Sequence, residues 1–499
     1  MAGCCEYGHN IGRRGFIKLS ALAGAAATTA AIQDVKPAYG QTSRAAGLQF
    51  RAFKASPSGN RRNVLFIAQT APMLRESVIN RIGEMTDYQV TVTPIQVDLL
   101  TDAGKINPAQ VADADAIVMM APGNSSGRIA EQMPEVSCPV IIYAGYPDLI
   151  MLEADVAAQF RAVGVNALLA NSENRLIELL KIALAPRILE GKKALIFGRQ
   201  MDSTSVPYVA VNEEDIYRHT GVRLQFRPIQ ELVDRLPGAS ESEARAEMER
   251  WKKDATEIVE TNDERILYAC RLYVLLKRIL KEEQLDGMSI DCLSFTFGNA
   301  VALPHPCLSF TRLRDEGYSV PCEADVSGML TSMLLEKIAN RPSYTANISE
   351  VKDEKSTVVL RHCVAPLKVM GYDAPAAPYR LRDYHGMGGT TAEVQFPTGI
   401  EVNFGVFSKN LSEFTLWPGR VVERVRDTDA PSYLGSDLPI RKYCTNHLEA
   451  MIYDKETFLQ SIGGVHHFMV TGGYAKAVRD ALIRMNVRVI GPSNFSAPA

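Results

Sequence analysis

The chain has 499 residues, of which 46% are apolar and 22% charged, a composition typical of a globular protein with a buried core. Its formal net charge of −3 provides no broad basic field for phosphate backbones, so we expect no nucleic-acid partner. At about 100 to 200 residues per domain, the length predicts two to four domains.

Residues 1–40 have the pattern of an export signal. Arg13 and Arg14 precede an alanine-rich apolar run, and a small-x-small cleavage site ends at Gly40. This order is typical of a twin-arginine signal, which predicts a periplasmic or otherwise extracytoplasmic protein. Because the apolar run is shorter than the roughly 20 residues of a membrane span, we expect no stable span. Residues 41–60 are polar and predict a disordered lead-in.

Seven cysteines follow the predicted signal. They are scattered, and no C-x-x-C pair indicates a zinc ribbon or a redox dithiol. We therefore interpret them mostly as small buried hydrophobes. They are Cys138, Cys270, Cys292, Cys307, Cys322, Cys363 and Cys444.

Short β-branched runs alternate with helical patterns in the first part of the chain. This alternation is typical of a parallel sheet covered by helices on both faces. It predicts a first α/β domain over residues 61–165. The predicted strands are 63–68, 89–96, 116–120 and 139–144.

A second α/β domain is predicted over residues 166–345. Its first predicted strand is a buried one at 193–198, and a further strand is expected over 288–297. Between them, residues 241–283 are highly charged with leucine and isoleucine at helical spacing. They predict a helix with a break near Asn262.

In the last part of the chain the hydrophobic pattern changes to the alternation typical of β-strands. Many short strands in succession predict an antiparallel barrel or sandwich over residues 346–499. The fold class is therefore α/β, with two doubly wound α/β domains followed by a C-terminal β-barrel-like domain. The predicted strands are 357–362, 391–396, 400–407, 413–417 and 420–424.

Two carboxylates lie just ahead of an apolar helix. Glu323 and Asp325 are two residues apart, so on a strand end they would project to the same side, where a helix N-terminus stabilises negative charge. Such a pair can hold a hard divalent cation. The alternative is that Asp325 simply caps the helix while Glu323 is solvated.

Histidines lie on two later strands. His362 ends one predicted strand, and a lone histidine there is either a metal ligand or a structural hydrogen-bonding group. His466 and His467 follow two glycines and are adjacent on a strand, so only one of them can face a given site. Together with the two acids, this mixed oxygen and nitrogen set suits a divalent metal such as Mn²⁺.

Several of these segments resemble the L-fucose isomerase and L-arabinose isomerase superfamily. The resemblance covers most of the chain in domain order and is strongest over 288–347. Its landmarks are Pro306-Cys307-Leu308, Cys322 to Asp325, Asn340-Arg341-Pro342, His362 to Pro366 and Gly463 to His467.

The resemblance implies a metal-dependent aldose-ketose isomerase that transfers a proton through an enediol. It makes Glu323 and Asp325 the catalytic and metal-binding acids, and it adds His362 and His467 as metal ligands. It also implies a homo-oligomer. The family's further catalytic carboxylate has no counterpart, because residues 295–302 contain no acid and Asp291 stands at the wrong spacing.

Three side chains are candidates for contact with the sugar. His305 lies between two prolines in a rigid loop, and His466 is next to the predicted ligand His467. Trp417 could stack on a sugar ring, and the alternative is that it packs in the core. The segment 121–127 could cradle an anion, but it lacks a P-loop lysine and an ordinary βα turn is favoured. An epimerase, a lyase or a non-catalytic sugar-binding protein are the rival functions.

Overall fold

The structure is a computed structural model of the chain. It describes residues 62–69, 75–84, 90–97, 106–120, 129, 136, 138–144, 150–162, 164–198, 213–293, 303–384, 389–423 and 444–498. The predicted signal, the lead-in and the segments 121–127 and 295–302 lie outside the described residues. Among helices within these ranges, none combines the length and the apolar character needed to cross a bilayer.

The described chain divides into two compact units, one ending at Leu184 and one beginning at Ala185. The second unit contains both a parallel sheet and an antiparallel barrel, which the sequence analysis treated as two domains. A division of this unit at residue 345 stays a prediction.

The first unit is built on a parallel sheet. Its strands are β1 (Arg62–Ala68), β2 (Val90–Gln96), β3 (Ala116–Met120), β4 (Val140–Tyr143) and β5 (Ala167–Ala170), and its helices are α1 (Glu76–Gly83), α2 (Pro108–Ala112), α3 (Ile150–Ala162) and α4 (Glu173–Ala183). The strand order β2-β1-β3-β4-β5 is one that doubly wound sheets use.

The four strands predicted in this unit are present: β1, β3 and β4 are the continuous apolar runs expected of parallel strands covered on both faces, whereas β2 is a partly exposed edge strand with β-branched alternation. All five residues of β3 are buried. One boundary needs correction: β5 pairs with β4, so residues 167–170 belong to the first sheet and not to the domain predicted to begin at residue 166.

The second unit opens with an α/β part. Its elements are β6 (Lys193–Phe197), α5 (Glu213–Thr220), β7 (Arg223–Arg227), α6 (Gln230–Arg235), α7 (Glu241–Asp254), β8 (Glu257–Ile258), α8 (Asp263–Glu282), β9 (Gly287–Ile290), α9 (Cys307–Asp315) and α10 (Val326–Ala339), with short 3₁₀ turns at Ala185–Arg187 and Leu236–Gly238. The parallel sheet has the order β7-β6-β9.

The predicted helical break near Asn262 is confirmed. Asn262 is the N-cap of α8, and its side chain accepts a hydrogen bond from the backbone N–H of Arg265 at 3.0 Å. A capping asparagine satisfies one of the unpaired N–H groups of the first turn, so a new helix begins there.

The barrel follows. Its elements are β10 (Tyr344–Lys352), β11 (Thr357–His362), β12 (Tyr379–Tyr384), β13 (Gly389–Val394), β14 (Glu401–Phe407), β15 (Glu413–Glu423), β16 (Asn446–Ile452), α11 (Lys455–Ser461), β17 (His466–Thr471), α12 (Ala475–Arg484) and β18 (Arg488–Ile490). Six antiparallel strands run β14-β17-β10-β11-β16-β15, and pairing of β14 with β15 closes them into a barrel.

Of the two predicted β architectures, the barrel is therefore the one found. The strands predicted at 413–417 and 420–424 are one strand, β15, and β18 adds to it in parallel. A small mixed sheet, β13-β12-β8, completes the unit. Six of the seven cysteines are buried, and all seven are free thiols, which confirms their interpretation as small apolar residues for all but the half-buried Cys444.

Helix α10 packs closely on the barrel at Gly328. A Cβ added there would lie 2.3 Å from the Phe468 ring and 2.8 Å from Cγ of Asp325. We expect Gly328→Ala to lower the free energy of unfolding by about 1 to 3 kcal/mol, because the ring and the helix must move apart. Denaturant unfolding measures this. Gly238→Ala is the control, since that glycine has nothing within 4 Å, and an equal loss in both variants would contradict the packing described.

Candidate metal centre

Three side chains from separate elements of the second unit converge on one point. The ligand atoms of Glu323, His362 and His466 all lie within 4.8 Å of one another. The Glu323 carboxylate is 3.3 Å from Nε2 of His466 and 3.6 Å from Nε2 of His362. The site thus joins the loop before α10 to the end of β11 and the start of β17.

The loop that carries Glu323 continues from the parallel sheet. Ser319 forms a parallel bridge with Gly287 of β9, and the backbone N–H of Ala324 donates to the Ile290 carbonyl at 3.1 Å. Glu323 therefore stands at the carboxyl edge of a parallel sheet, where binding sites of α/β proteins lie.

The backbone is strained at Glu323 and at the residue after it. Glu323 and Ala324 have φ angles of 65° and 52°, in the left-handed region that costs a residue with a side chain about 1 kcal/mol or more. The strained turn replaces the strand end that the sequence analysis assumed. It aims Glu323 at the histidines and releases the chain into α10.

Arg314 of α9 forms hydrogen bonds that fix the loop before Glu323. Its guanidinium is fully buried and donates to the Val320 carbonyl at 2.9 and 3.1 Å and to the Thr345 hydroxyl at 2.6 Å. It thereby fixes the segment before Glu323 against strand β10. Arg314 could not be predicted from the sequence, because one arginine in a helix gives no sign of whether it is exposed.

Asp325 has two contacts and is not a member of the cluster. Its Oδ1 accepts a hydrogen bond from the Gly328 N–H at 2.8 Å, which caps α10, and its Oδ2 lies 2.9 Å from Nδ1 of His466. Nδ1–H donates to Asp325, so Nε2 faces Glu323 and is the nitrogen that becomes available to a metal ion once it loses its proton. Asp325 thus orients the His466 ring, which is the arrangement that carboxylate partners have beside metal-binding histidines.

We expect Asp325→Asn to weaken cation binding by about 10- to 100-fold while the helix cap survives, because the amide oxygen still accepts from Gly328. Titration with Mn²⁺ followed by calorimetry measures the first effect, and thermal unfolding measures the second. If Asp325 were itself a ligand, the loss would equal that of Glu323→Gln.

The charges of the cluster shift one another's pKa values. Burial alone would raise the pKa of Glu323, but the adjacent imidazoles of His466 and His362 outweigh burial and lower it. Burial likewise opposes protonation of His466, yet the Glu323 carboxylate raises its pKa to about 9. Burial also disfavours protonation of His362, but Cys322 and Glu323 outweigh it and raise the pKa of His362 to about 10. Without a cation, the cluster is therefore a buried ion pair.

The donors present fit a divalent metal ion. Nε2 of His466 and both ring nitrogens of His362 are buried and form no well-aligned hydrogen bond, and the Glu323 carboxylate lies 3.3 and 3.6 Å from the two Nε2 atoms. These buried nitrogens are therefore available to an ion held beside the carboxylate. Two imidazole nitrogens and a carboxylate suit first-row divalent metals, Mn²⁺ among them. Glu323, His362 and His466 are the residues that would hold it.

The structure corrects the assignment between the two adjacent histidines. His467 is the ligand predicted from the sequence, but strand alternation turns its ring away from the cluster. The ring instead packs against Phe404 and Phe458, with ring centroids 6.3 Å away. His466, predicted from the sequence to contact substrate, is the histidine that lies in the cluster with Glu323 and His362.

Trp417 also needs correction as a sugar-stacking residue. It is fully buried in β15, its ring packs on Phe458 at 5.2 Å, and its indole N–H donates to the Tyr453 carbonyl at 2.9 Å. It is a core residue, which was the stated alternative. His305 lies partly buried just before α9, and its contact with a sugar stays a prediction.

The fold and the cluster define a mixed α/β and β-barrel protein with a candidate two-histidine, one-carboxylate metal centre. Over 160 residues the chain is 28% identical to proteins named sulfoquinovose isomerase from Priestia aryabhattai and Priestia megaterium. The aligned stretch covers 32% of this chain and 35% of each relative. A sulfoquinovose isomerase from Alkalicoccus urumqiensis is 26% identical over 116 residues, 23% of this chain and 26% of its own.

The chain thus spans about a third of the length of the curated relatives it matches. No family model matches it. The proteins that it matches over this stretch are thus named as isomerases of a sugar.

Proposed function

We propose that the protein is a metal-dependent aldose-ketose isomerase. The observation that carries this proposal is the convergence of Glu323, His362 and His466, in a chain similar to sugar isomerases. Moving a carbonyl between adjacent sugar carbons requires removal of a proton next to that carbonyl and stabilisation of the resulting oxyanion. The cluster has the groups for both tasks.

The cation, when bound, polarises the carbonyl and neighbouring hydroxyl oxygens of the sugar. The two imidazoles hold their lone pairs toward it, and Asp325 keeps His466 in the required tautomer. We assign proton transfer between the two carbons to Glu323. Its side chain retains 14% exposure, whereas that of Asp325 is 1% exposed and engaged with the helix cap.

The substrate class follows from the names of the relatives. Sulfoquinovose is a six-carbon sugar that carries a sulfonate, so we propose a sugar with an anionic group for this chain as well. We also propose Mn²⁺ as the cation, export by the predicted signal, and a homo-oligomeric state.

Incubation of the Mn²⁺-loaded protein with sulfoquinovose and with neutral aldoses in deuterated water tests the proposal. NMR should show a ketose product, with deuterium at the carbon that accepts the proton, and chelation should stop its formation. An epimer labelled at the inverted carbon would indicate an epimerase, and shorter fragments a lyase. Binding of a sugar without any exchange would leave a non-catalytic sugar-binding protein and refute the isomerase.

A further inference from the structure

One buried guanidinium links the segments that carry two of the three ligands. Arg314, in the last turn of α9, is 1% exposed. It donates to the Val320 carbonyl at 2.9 and 3.1 Å, three residues before Glu323. It also donates to the Val364 carbonyl at 3.2 Å, two residues after His362. The loop before α10 and the chain that leaves β11 are therefore joined through a single side chain.

The same guanidinium holds the strand between the two histidine-bearing strands. Nη2 of Arg314 donates to the Thr345 hydroxyl at 2.6 Å, and Nη1 donates to the Ser343 carbonyl at 3.4 Å. Thr345 lies on β10 and pairs with Phe468 of β17, two residues beyond His466. Because β10 pairs with β11 on its other side, Arg314 also fixes the strand that connects the two imidazoles.

Packing alone does not account for a charged side chain at this position. The oxygens that accept its hydrogen bonds are three backbone carbonyls and one hydroxyl, all uncharged. Burial disfavours a cation, and it lowers the pKa of Arg314. An apolar side chain would fill the same space without this cost. It could not bind three separate segments at once, which the planar guanidinium does with donors in a fixed geometry.

The ligand atoms of Glu323 and His362 are near the separation that one shared ion requires. The Glu323 carboxylate is 3.6 Å from Nε2 of His362. Two ligands that are each about 2.1 Å from one ion lie about 3.0 to 3.5 Å apart. A displacement of about 1 Å already loosens such a site. The separation of these two segments therefore has to be held closely.

We infer that Arg314 is a positioning residue, which sets the separation of Glu323 and His362 and thereby the affinity of the centre for its cation. This inference rests on the proposed function, because it takes the cluster to be a metal centre. Arg314 acts through the backbone, since its hydrogen bonds fix the chain just before one ligand and just after the other.

Arg314→Met tests this role, because it keeps the apolar stem and removes every N–H donor of the side chain. We expect the Kd for Mn²⁺, measured by titration calorimetry, to rise by about 10- to 100-fold. Arg314→Lys keeps the charge but has one nitrogen in place of three, so it should give a smaller rise.

Arg312→Met is the matched control on the same helix. Arg312 donates to Glu247 at 2.6 Å and stacks on the Trp251 ring at 4.2 Å, so it stabilises the packing of α9 on its neighbours. We expect its loss to lower the melting temperature and to change the Kd for Mn²⁺ by less than about threefold. Thermal unfolding of all three variants separates a loss of stability from a loss of ligand geometry.

Crystal structures of the cation-free wild type and of Arg314→Met give the second measurement. The separation of Glu323 and His362 should increase by about 1 Å in the variant. An unchanged separation, or a Kd that rises equally in Arg312→Met and Arg314→Met, would overturn the inference. Arg314→Lys replaces Arg314→Met in both measurements if the latter does not fold. If the wild type binds no Mn²⁺, the proposed function fails, and the separation in the cation-free crystals still decides the role of Arg314.

Discussion

Replacing His466 by Asn is expected to abolish stoichiometric Mn²⁺ binding and to lower turnover by about 1,000-fold or more. Its Nε2 is one of two imidazole donors in the cluster, and loss of one ligand from a three-residue set removes both the cation and its stabilisation of the oxyanion. Elemental analysis of the purified variant and the NMR assay in deuterated water measure the two effects. Glu323→Gln should behave in the same way.

The neighbouring histidine offers a matched control. His467→Leu changes a residue of the same strand that is also fully buried, but it fills an apolar space against Phe404 and Phe458. We expect this variant to keep its cation. Retention of metal by His466→Asn together with its loss in His467→Leu would reverse the assignment of the two residues.

In the cation-free protein, thermal stability is expected to fall as the pH rises from about 6.5 to about 10. The pKa values of His466 and His362 are raised to about 9 and about 10, above the ordinary value of about 6.5. A histidine with a raised pKa stabilises the folded state fully below its unfolded pKa, and this contribution is lost as the pH rises through the folded pKa.

Cation binding should show the opposite dependence over the same range, since each imidazole must lose its proton to become a ligand. The melting temperatures with excess Mn²⁺ and with a chelator should therefore move apart as the pH rises. Differential scanning fluorimetry in both conditions measures this. Glu323→Gln removes the carboxylate that helps to raise both pKa values, so its chelated protein should show a flatter profile. Parallel curves for the wild type would show that the cation does not bind at these histidines.

Much of the fold is encoded in local patterns. Parallel strands buried on both faces, such as β3 and β6, stand out as apolar runs, and the Asn262 cap marks its helix boundary. The choice between barrel and sandwich depends on which strands pair at a distance, here β14 with β15 and with β17, and no local pattern specifies this.

The composition of the site was predictable, but its geometry was not. Glu323 and His362 were chosen from the sequence because acids and histidines at element ends are candidates in any chain. Period-two alternation showed that only one of His466 and His467 could face the site, but not which one. The left-handed turn at Glu323 separates its role from that of Asp325, and such a turn has no signature when it lacks glycine.

The proposed function depends on Glu323, His362 and His466 holding a single cation. Crystals of the protein grown with MnCl₂ allow a direct test through an anomalous difference map. We expect one strong peak among the Glu323 carboxylate and the Nε2 atoms of both histidines, within about 2.0 to 2.4 Å of each. A map without a peak at that position, in crystals that bind Mn²⁺ elsewhere, would contradict it.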